Sequence, residues 1–295
     1  MKTIGLIGIG DMGSGLARNL LKAGFVVRGH DLKADRMADF TQMGGVACAN
    51  AAEVAEGADA AFIMVMNGDE VRDVMFGAEG MVAKLRDGAV IILSATIRPR
   101  EAEALFADLP ERLAMVDTPV SGGRPGAQGG TLTMMAAGTA HALDAARPAM
   151  EAVSSTIHVV GAQIGTGQTV KACLQSLIGS IFTGAYEASA LAAKAGVSGE
   201  VLHNVFSTSA AGCGITNAAV STVASREFEK TGSHINTMHK DLTISLDLAM
   251  EMGVPLFTAS TAMQLFQAGR TRHPDGDNQA VALIIEEIIG TGLNK

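Results

Sequence analysis

Short apolar runs alternate with stretches of helical periodicity in the first half of the chain. The runs predict strands at Thr3–Ile7, Val26–His30, Ala60–Met66, Ala89–Ser94, Ala114–Val116, Thr131–Ala136 and Ile157–Val159. Between them, apolar residues three or four positions apart predict helices at Gly13–Ala23, Ala34–Met43, Asp69–Phe76, Arg98–Leu109 and Ala140–Met150. Strands that alternate with helices indicate an α/β fold with a mostly parallel, doubly wound sheet.

The pattern becomes helical throughout after Gly161. One long interdomain helix is predicted at about 168–195, followed by helices at Gly199–Phe206, Asn217–Ala224, Met238–Met252, Pro255–Gln267 and Asn278–Ile289. The glycine-containing segment 161–167 is interpreted as the domain junction. The sequence therefore predicts a sheet domain over residues 1–162 and an all-α domain for substrate binding and oligomerisation over residues 163–295.

Composition and charge exclude several classes of protein. The 295 residues are 48% hydrophobic but only 4% aromatic, so aliphatic side chains and methionine must fill the core. The net charge of −8 and the lack of a basic stripe argue against nucleic-acid and membrane-surface partners. No apolar run reaches the roughly 18 residues of a membrane span, and no signal peptide is recognised. Three separated cysteines, Cys48, Cys173 and Cys213, indicate neither disulfides nor a metal site, and the expected location is cytoplasmic.

A dinucleotide-binding fingerprint follows the first predicted strand and opens the first helix. The chemistry requires one glycine for the tight turn, one for close approach of a pyrophosphate and one for helix–strand packing. Asp31 ends the second strand, where its carboxylate can accept hydrogen bonds from the ribose hydroxyls of NAD and repel the phosphate of NADP. Lys33 and Arg36 can offset that repulsion, so NAD is favoured over NADP without being required. The residues assigned to the cofactor here are Gly8, Ile9, Gly10, Met12, Gly13 and Asp31.

Polar segments at the ends of later strands are further candidates for the same site. Met66, Asn67 and Thr96 follow two strands of the predicted sheet, and ligands of such sheets lie beyond the carboxyl ends of the strands. We therefore expect them on the nicotinamide side of the cofactor. The glycine-rich segment Asp117–Gly130 follows another strand, and its backbone amides can form an anion site for a substrate carboxylate, with Ser121 adding a hydroxyl. A flexible glycine loop is the alternative for this segment.

Lys171 lies near the start of the long predicted helix. Lys171, Gln175, Ile178 and Phe182 are spaced by four, three and four residues and therefore share one helix face. A lysine on such a face either extends its amine to solvent or is held in a cleft for proton transfer. The pattern alone leaves both readings open.

Four segments, taken in order, resemble the β-hydroxyacid dehydrogenase family, which includes 3-hydroxyisobutyrate dehydrogenase and tartronate semialdehyde reductase. They are GIGDMG from residue 8, DTPVSGGRPGAQGGTLTMMAAG from 117, GTGQTVKACLQ from 165 and KDLTISLDLAMEMGVPL from 240. The resemblance implies a Rossmann domain, a long interdomain helix, an all-α second domain and a homodimer or homotetramer. It assigns Ser121, Gly122 and Gly123 to the substrate carboxylate, Lys171 to general acid/base catalysis and Lys240 to the cofactor.

The activity that this resemblance implies is NAD-dependent hydride transfer to or from a small hydroxy acid. Within the family, the segments around Asn67, Ser94–Ile97 and Gly167–Lys171 are similar to L-threonate dehydrogenases, so a sugar acid such as L-threonate is the expected substrate. The alternatives are 3-hydroxyisobutyrate, tartronate semialdehyde and, in a different class, a non-catalytic NAD-binding scaffold. One departure concerns the substrate: Leu174 stands where the family has Asn or His, and Gln175 is expected to orient the substrate oxygen instead.

Overall fold

The computed structural model describes residues 1–229 and 231–294, which form two compact units, Met1–Lys171 and Ala172–Lys295. In the first unit, nine strands build one sheet: β1 (Thr3–Ile7), β2 (Val26–His30), β3 (Val46–Ala47), β4 (Ala60–Ile63), β5 (Val90–Leu93), β6 (Ala114–Asp117), β7 (Val120–Ser121), β8 (Leu132–Ala137) and β9 (Ser154–Gly161). Its helices are α1 (Asp11–Lys22), α2 (Ala34–Gln42), α3 (Ala51–Ala55), α4 (Gly68–Phe76), α5 (Pro99–Ala107), α6 (Gly123–Gly129) and α7 (Ala140–Val153).

The strand order of the sheet is β3-β2-β1-β4-β5-β6-β8-β7, with β9 beside β8. Strands β1 to β6 pair in parallel, whereas β8 runs antiparallel to β6 and β7. Strands β2 and β3 lie on one side of β1, and β4, β5 and β6 lie on its other side. The direction in which the chain adds strands to the sheet therefore reverses beside β1. In a doubly wound sheet this reversal opens a ligand crevice beyond the carboxyl ends of the strands. The predicted Rossmann arrangement is confirmed.

Burial on both faces explains why the central strands are apolar without interruption. Along β1, Ile4 and Leu6 belong to one core cluster of the unit and Ile7 to another, and Phe62 and Ile63 of β4 divide in the same way. Successive residues of a strand point to opposite faces, so both faces are covered by helices and exclude water. The carboxyl ends of the strands are thereby held as one rigid edge.

The structure differs from the predicted pattern mainly in short elements and at strand ends. The strand predicted at Ala60–Met66 ends at Ile63, because the chain turns there towards α4. Two-residue strands β3 and β7 and the short helix α3 were not predicted, since an element of this size has too few residues to show a period. The glycine-rich segment after Ser121 forms α6 and is therefore not the flexible loop that was the alternative for it. Its role as an anion site for a substrate carboxylate stays a prediction.

Among residues 166–229 and 231–294, the regular structure consists of six helices and a short 3-10 turn. The elements are α8 (Thr166–Lys194), α9 (Gly199–Thr208), α10 (Gly214–Ser225), α11 (Ile235–Met252), α12 (Phe257–Arg272), the 3-10 turn Asn278–Ala280 and α13 (Val281–Ile289). Helix α8 begins in the first unit and continues into the second. The core of the second unit includes Phe182, Tyr186, Leu242 and Phe266. Among the described residues, no helix is long and apolar enough to cross a membrane, and no group of three or more His, Cys, Asp or Glu side chains is arranged to hold a metal ion.

Tyr186 places a hydroxyl in this apolar core. The residue is fully buried, its ring stacks on Phe182 with 6.1 Å between centroids, and its Oη has no hydrogen-bond partner within residues 1–229 and 231–294. Burial accordingly raises the pKa of the Tyr186 hydroxyl above its usual range. A buried polar group without a partner costs about 1–3 kcal/mol.

The variant Tyr186→Phe is expected to be more stable than the wild type by about 1 kcal/mol, because it removes the buried hydroxyl and keeps the ring. Urea unfolding followed by circular dichroism measures the change. The matched control Phe182→Leu shrinks the neighbouring ring and is expected to lower the free energy of unfolding. A destabilised Tyr186→Phe protein would mean that the hydroxyl has a partner, such as a buried water.

Candidate active site

The turn between β1 and α1 requires two of its glycines for internal reasons. Gly8 has φ +87°, and a Cβ atom there would lie 2.2 Å from the carbonyl oxygen of Met64. At Gly13, a Cβ atom would lie 1.9 Å from the carbonyl oxygen of Gly8, so α1 starts directly against the end of β1. Gly10 is different, because a Cβ atom would come no closer than 3.4 Å to the guanidinium of Arg36. Packing leaves room at Gly10, which suits the close approach of a cofactor pyrophosphate at the helix N-terminus.

Asp31 lies beside this turn as an ionised acceptor. Its Oδ2 accepts a hydrogen bond from the amide of Ile9 at 2.7 Å, its Oδ1 accepts from the amide of Lys33 at 2.9 Å, and Arg36 pairs with it at 3.3 Å. Burial raises the pKa of this carboxyl, but the two amides and the Arg36 charge outweigh it and hold the pKa below its usual value. The contacts from Arg36 are long, at 3.3 Å to Oδ2 and 3.5 Å to Oδ1, and Asp31 can accept bonds from ribose hydroxyls where these hydroxyls replace Arg36.

The loops after β4 and β5 contain three further residues predicted near the cofactor. The side chain of Asn67 caps α4 by accepting from the amide of Glu70 at 2.9 Å, and half-exposed Met66 donates its amide to the Glu70 carboxylate at 2.9 Å. Thr96 is half-buried and lies between Ala95 and Ile97 in the loop after β5. These loops follow strands that neighbour β1 and β6. Their contact with the cofactor remains a prediction.

The segment predicted to bind the substrate carboxylate has a defined backbone. Gly122 and Gly123 have φ values of +127° and +57°, which favour glycine, and they turn the chain from β7 into α6. Helix α6 then packs closely on α1: a Cβ atom at Gly15 would lie 2.5 Å from the carbonyl carbon of Ala127. The side-chain amide of Asn19 donates to the carbonyl oxygen of Ala127 at 2.9 Å. These contacts hold Ser121, Gly122 and Gly123 in one place.

Lys171 lies against that same segment. Its side chain is buried, with 6% exposed, and its Nζ donates a hydrogen bond to the carbonyl oxygen of Val120 at 2.8 Å. Val120 directly precedes Ser121. Of the two readings that the helical pattern left open, the structure therefore excludes a lysine that extends to solvent. The amine and the segment proposed to bind the carboxylate are brought together although Ser121 and Lys171 are 50 positions apart in the sequence.

A buried pair that the sequence analysis did not identify lies next to Lys171. Asp117 at the end of β6 and Gln168 in the first turn of α8 are both fully buried. Asp117 Oδ2 accepts from the amides of Gly165 at 2.9 Å and Gln168 at 3.2 Å, and Oδ1 accepts from Gln168 Nε2 at 2.8 Å. The sequence signal that could have found the pair is a carboxylate ending a buried strand and an amide three residues before the lysine.

Gln175 and Lys240 lie in the second unit, where both contact Asp241. Gln175 Nε2 donates to Asp241 Oδ2 at 2.5 Å, and Lys240 Nζ pairs with Asp241 Oδ1 at 2.9 Å. Asp241 is almost fully buried, so both contacts stabilise its charge. Leu174 is half-buried. The roles predicted for Gln175 in substrate binding and for Lys240 in cofactor binding remain predictions.

Asp117 is expected to make the stability of the protein depend on pH. Burial raises the pKa of its carboxyl to about 6, against the opposing hydrogen bonds from Gln168 and Gly165. In the unfolded chain an aspartate titrates near 4. The folded state therefore binds the proton more tightly, and this contribution to stability is complete below pH ~4 and is lost as the pH rises through ~6.

Asp117→Asn removes this titration while keeping the side-chain volume. We expect the stability of the wild type relative to the variant to fall by about 2–3 kcal/mol between pH 4 and pH 7, the equivalent of roughly two pKa units. Urea unfolding of both proteins at pH 4, 5.5 and 7 measures it. A difference that stays constant over this range would contradict the raised pKa.

Comparison with known proteins assigns the two halves of the chain to the same kind of enzyme. Residues 3–161 match the family model for the NAD binding domain of 6-phosphogluconate dehydrogenase. Residues 165–285 match the model described as NAD-binding of NADP-dependent 3-hydroxyisobutyrate dehydrogenase. The first match alone covers more than half of the chain.

Individual relatives agree with the family models. L-threonate dehydrogenase of Cupriavidus necator is 35% identical, over 96% of each chain. NAD-dependent L-serine dehydrogenase of Pseudomonas aeruginosa is 37% identical, over 72% of this chain and 71% of its own. The crystal structure of 3-hydroxyisobutyrate dehydrogenase from Salmonella typhimurium superimposes with a TM-score of 0.89 at 33% identity, over 96% of this chain and all of the other. The chain therefore belongs to the β-hydroxyacid dehydrogenase family, as an NAD(P)-dependent hydroxyacid dehydrogenase.

Proposed function

We propose that the protein transfers a hydride between NAD(H) and a small hydroxy acid, with L-threonate or a similar sugar acid as substrate and Lys171 as the general acid/base. The observation that carries this proposal is the buried Lys171 amine, which lies 2.8 Å from the carbonyl oxygen of Val120, the residue that precedes Ser121, Gly122 and Gly123. A cation and a hydroxyl next to glycine amides suit a substrate that combines a carboxylate with an adjacent alcohol.

Different residues of the first unit have different roles in the proposed reaction. Ser121 and the amides of Gly122 and Gly123 hold the substrate carboxylate, which orients the neighbouring carbinol. In oxidation, the neutral Lys171 amine accepts the proton of the substrate hydroxyl as the carbon loses its hydride and the carbonyl forms. In reduction, the Lys171 ammonium returns that proton to the carbonyl oxygen. A nicotinamide cofactor, when bound, supplies or accepts the hydride.

The cofactor is proposed to be NAD. The turn from Gly8 to Gly13, with room in front of Gly10, would hold the pyrophosphate, and Asp31 would accept the ribose hydroxyls. The ionised carboxylate favours NAD because it repels an additional phosphate on the ribose. The proposal also includes four further residues that are predicted to lie near the cofactor, namely Met66, Asn67, Thr96 and Lys240.

L-threonate is proposed as substrate on sequence similarity along nearly the whole chain. The relative named L-threonate dehydrogenase matches 96% of this chain, whereas the relative named L-serine dehydrogenase matches 72%. Gln175 would orient a substrate oxygen, since Leu174 offers no polar group. L-Serine, 3-hydroxyisobutyrate and tartronate semialdehyde are the alternatives within the same reaction class.

A spectrophotometric screen tests the proposal. NADH formation at 340 nm is measured with NAD and, separately, L-threonate, L-serine, 3-hydroxyisobutyrate and glycerate, and NADH consumption with tartronate semialdehyde. We expect the highest kcat/KM with L-threonate. A higher kcat/KM with another acid would overturn the substrate assignment, and inactivity on all of them with intact NADH binding would favour a non-catalytic NAD-binding scaffold.

A further inference from the structure

We propose that Asp117 and Gln168 are positioning residues. Together they hold the Lys171 amine in the position required for proton transfer, relative to the loop after β5 and the segment after β6. The inference rests on the proposed role of Lys171 in proton transfer. Both residues are fully buried, and they act through Lys171 and the loops that they join.

Asp117 fixes the start of α8 from a different part of the chain. Its Oδ2 accepts from the amide of Gln168, which an N-cap side chain satisfies in other helices, and from the amide of Gly165, which directly precedes α8. A cap from the same turn would move with the helix, whereas Asp117 belongs to β6 in the sheet. Gly167 completes the attachment, since a Cβ atom there would lie 2.5 Å from the carbonyl oxygen of Met135 and 2.8 Å from that of Asp117. The first turn of α8 therefore lies directly on the backbone of β6 and β8.

Gln168 joins three segments with one side-chain amide. Its Oε1 accepts from the amide of Ile97 at 3.1 Å, and its Nε2 donates both to the carbonyl oxygen of Ala95 at 3.0 Å and to Asp117 Oδ1 at 2.8 Å. These partners fix the orientation of the side-chain amide. If the oxygen and nitrogen were exchanged, the NH₂ group would face the amide donor of Ile97, and the oxygen would face two acceptors, the Ala95 carbonyl and Asp117 Oδ1. Ala95 and Ile97 flank Thr96, which is predicted to face the cofactor. The amide thus links that loop, the end of β6 and α8.

Lys171 lies three residues after Gln168, and Val120 lies three residues after Asp117. Two sets of hydrogen bonds therefore connect the start of α8 with residues 117–120. One runs from Lys171 Nζ to the Val120 carbonyl, and the other joins Gln168 and Asp117. Two such connections prevent the first turns of α8 from rotating about either one. Because proton transfer depends on the position of the amine to a fraction of an ångström, the buried pair is expected to affect turnover more than binding.

Three variants separate positioning from a general contribution to stability. Asp117→Asn keeps the two backbone contacts but places an NH₂ group opposite Gln168 Nε2. Gln168→Glu places a second carboxylate opposite Asp117. The double variant Asp117→Asn/Gln168→Glu restores donor to acceptor across the pair and lacks only the bond to the Ala95 carbonyl. As a structural control, Thr139→Ala removes the N-cap of α7, where the Thr139 hydroxyl accepts from the amide of Ala142 at 3.2 Å.

We expect each single variant to lower kcat by roughly tenfold to a hundredfold, with the KM for NAD and the Kd for NADH changed less than about twofold. The double variant is expected to recover most of the lost kcat, which simple loss of stability does not predict. Thr139→Ala is expected to lower Tm and leave kcat unchanged. Should Gln168→Glu fail to fold, Gln168→Met removes the same side-chain bonds without adding a charge.

A measurement without substrate separates this inference from the proposed function. The side-chain ¹⁵N resonance of Lys171, assigned by its loss in Lys171→Met, is expected to shift in both single variants and to return in the double. Unmoved resonances, or a double variant no faster than the slower single variant, would overturn the positioning role. If the wild type oxidises none of the acids but the resonances shift and return as expected, the proposed function fails and the positioning role stands.

Discussion

The Lys171→Ala variant is expected to have a turnover number about 10²–10⁴-fold below that of the wild type, the range that a positioned general acid/base contributes. The physical reason is that the buried amine is the proposed acceptor of the substrate proton, and alanine leaves only water for that task. Steady-state kinetics with L-threonate and NAD measure the loss, and fluorescence titration with NADH shows whether cofactor binding survives. We expect the Kd for NADH to change little, because Lys171 is assigned to the substrate.

The matched control for this prediction is Lys194→Ala. Lys194 lies in the last turn of the same helix, α8, and is exposed, so its loss removes an equal charge from the same element. Its kcat is expected to equal that of the wild type. An unchanged kcat in Lys171→Ala, or an equal loss in both variants, would contradict the assignment of Lys171 to proton transfer.

Asp31→Ser is expected to shift cofactor preference from NAD towards NADP by about 10- to 100-fold in the ratio of their kcat/KM values. Loss of hydrogen bonds to a charged acceptor costs about 1.5–3 kcal/mol, and each 1.36 kcal/mol corresponds to a factor of ten. The substitution also releases Arg36, which now pairs with Asp31 at 3.3 Å, to meet the additional phosphate of NADP. Kinetics with both cofactors at a saturating concentration of the acid measure the ratio.

Two further variants make the cofactor experiment specific to the Asp31 carboxylate. Asp35→Ser removes an exposed acid four residues away, in the first turn of α2, and is expected to leave the ratio unchanged. Asp31→Asn keeps an acceptor for the amide of Ile9 and should shift the ratio without disturbing the turn. Selectivity equal to that of the wild type in Asp31→Ser would show that another residue reads the ribose.

The elements that could be predicted are those whose pattern is local and long. The strands Thr3–Ile7 and Val26–His30 have the predicted bounds. Four of the five residues are buried in the first, and alternate residues are buried in the second, so each has a local pattern. Helix α8 begins and ends within two residues of its prediction. The two-residue strand β7 exists only because β8, which follows it in the chain, offers a partner. Its two residues carry no pattern by themselves.

The residues of the candidate site also fall into those that the sequence could predict and those that it could not. The glycines of the first turn could be predicted because tight turns and close approach exclude a side chain, which is a local requirement. Lys171 could be singled out from its helix face and its motif, but whether it faced solvent could not be decided. Asp117 and Gln168 were missed because each is an ordinary polar residue until the fold brings them together across 51 positions.

The amino-acid sequence by itself determined the class of fold, the turn for the cofactor and the identity of the candidate proton-transfer group. Only the tertiary structure decided that the Lys171 amine is buried against Val120, that the glycine-rich segment is the helix α6 and that Asp117 anchors the start of α8. The physical reason is the range of the interactions. Backbone conformation and periodicity depend on neighbours within a few residues, whereas burial and hydrogen bonding of a side chain depend on distant segments that folding places beside it.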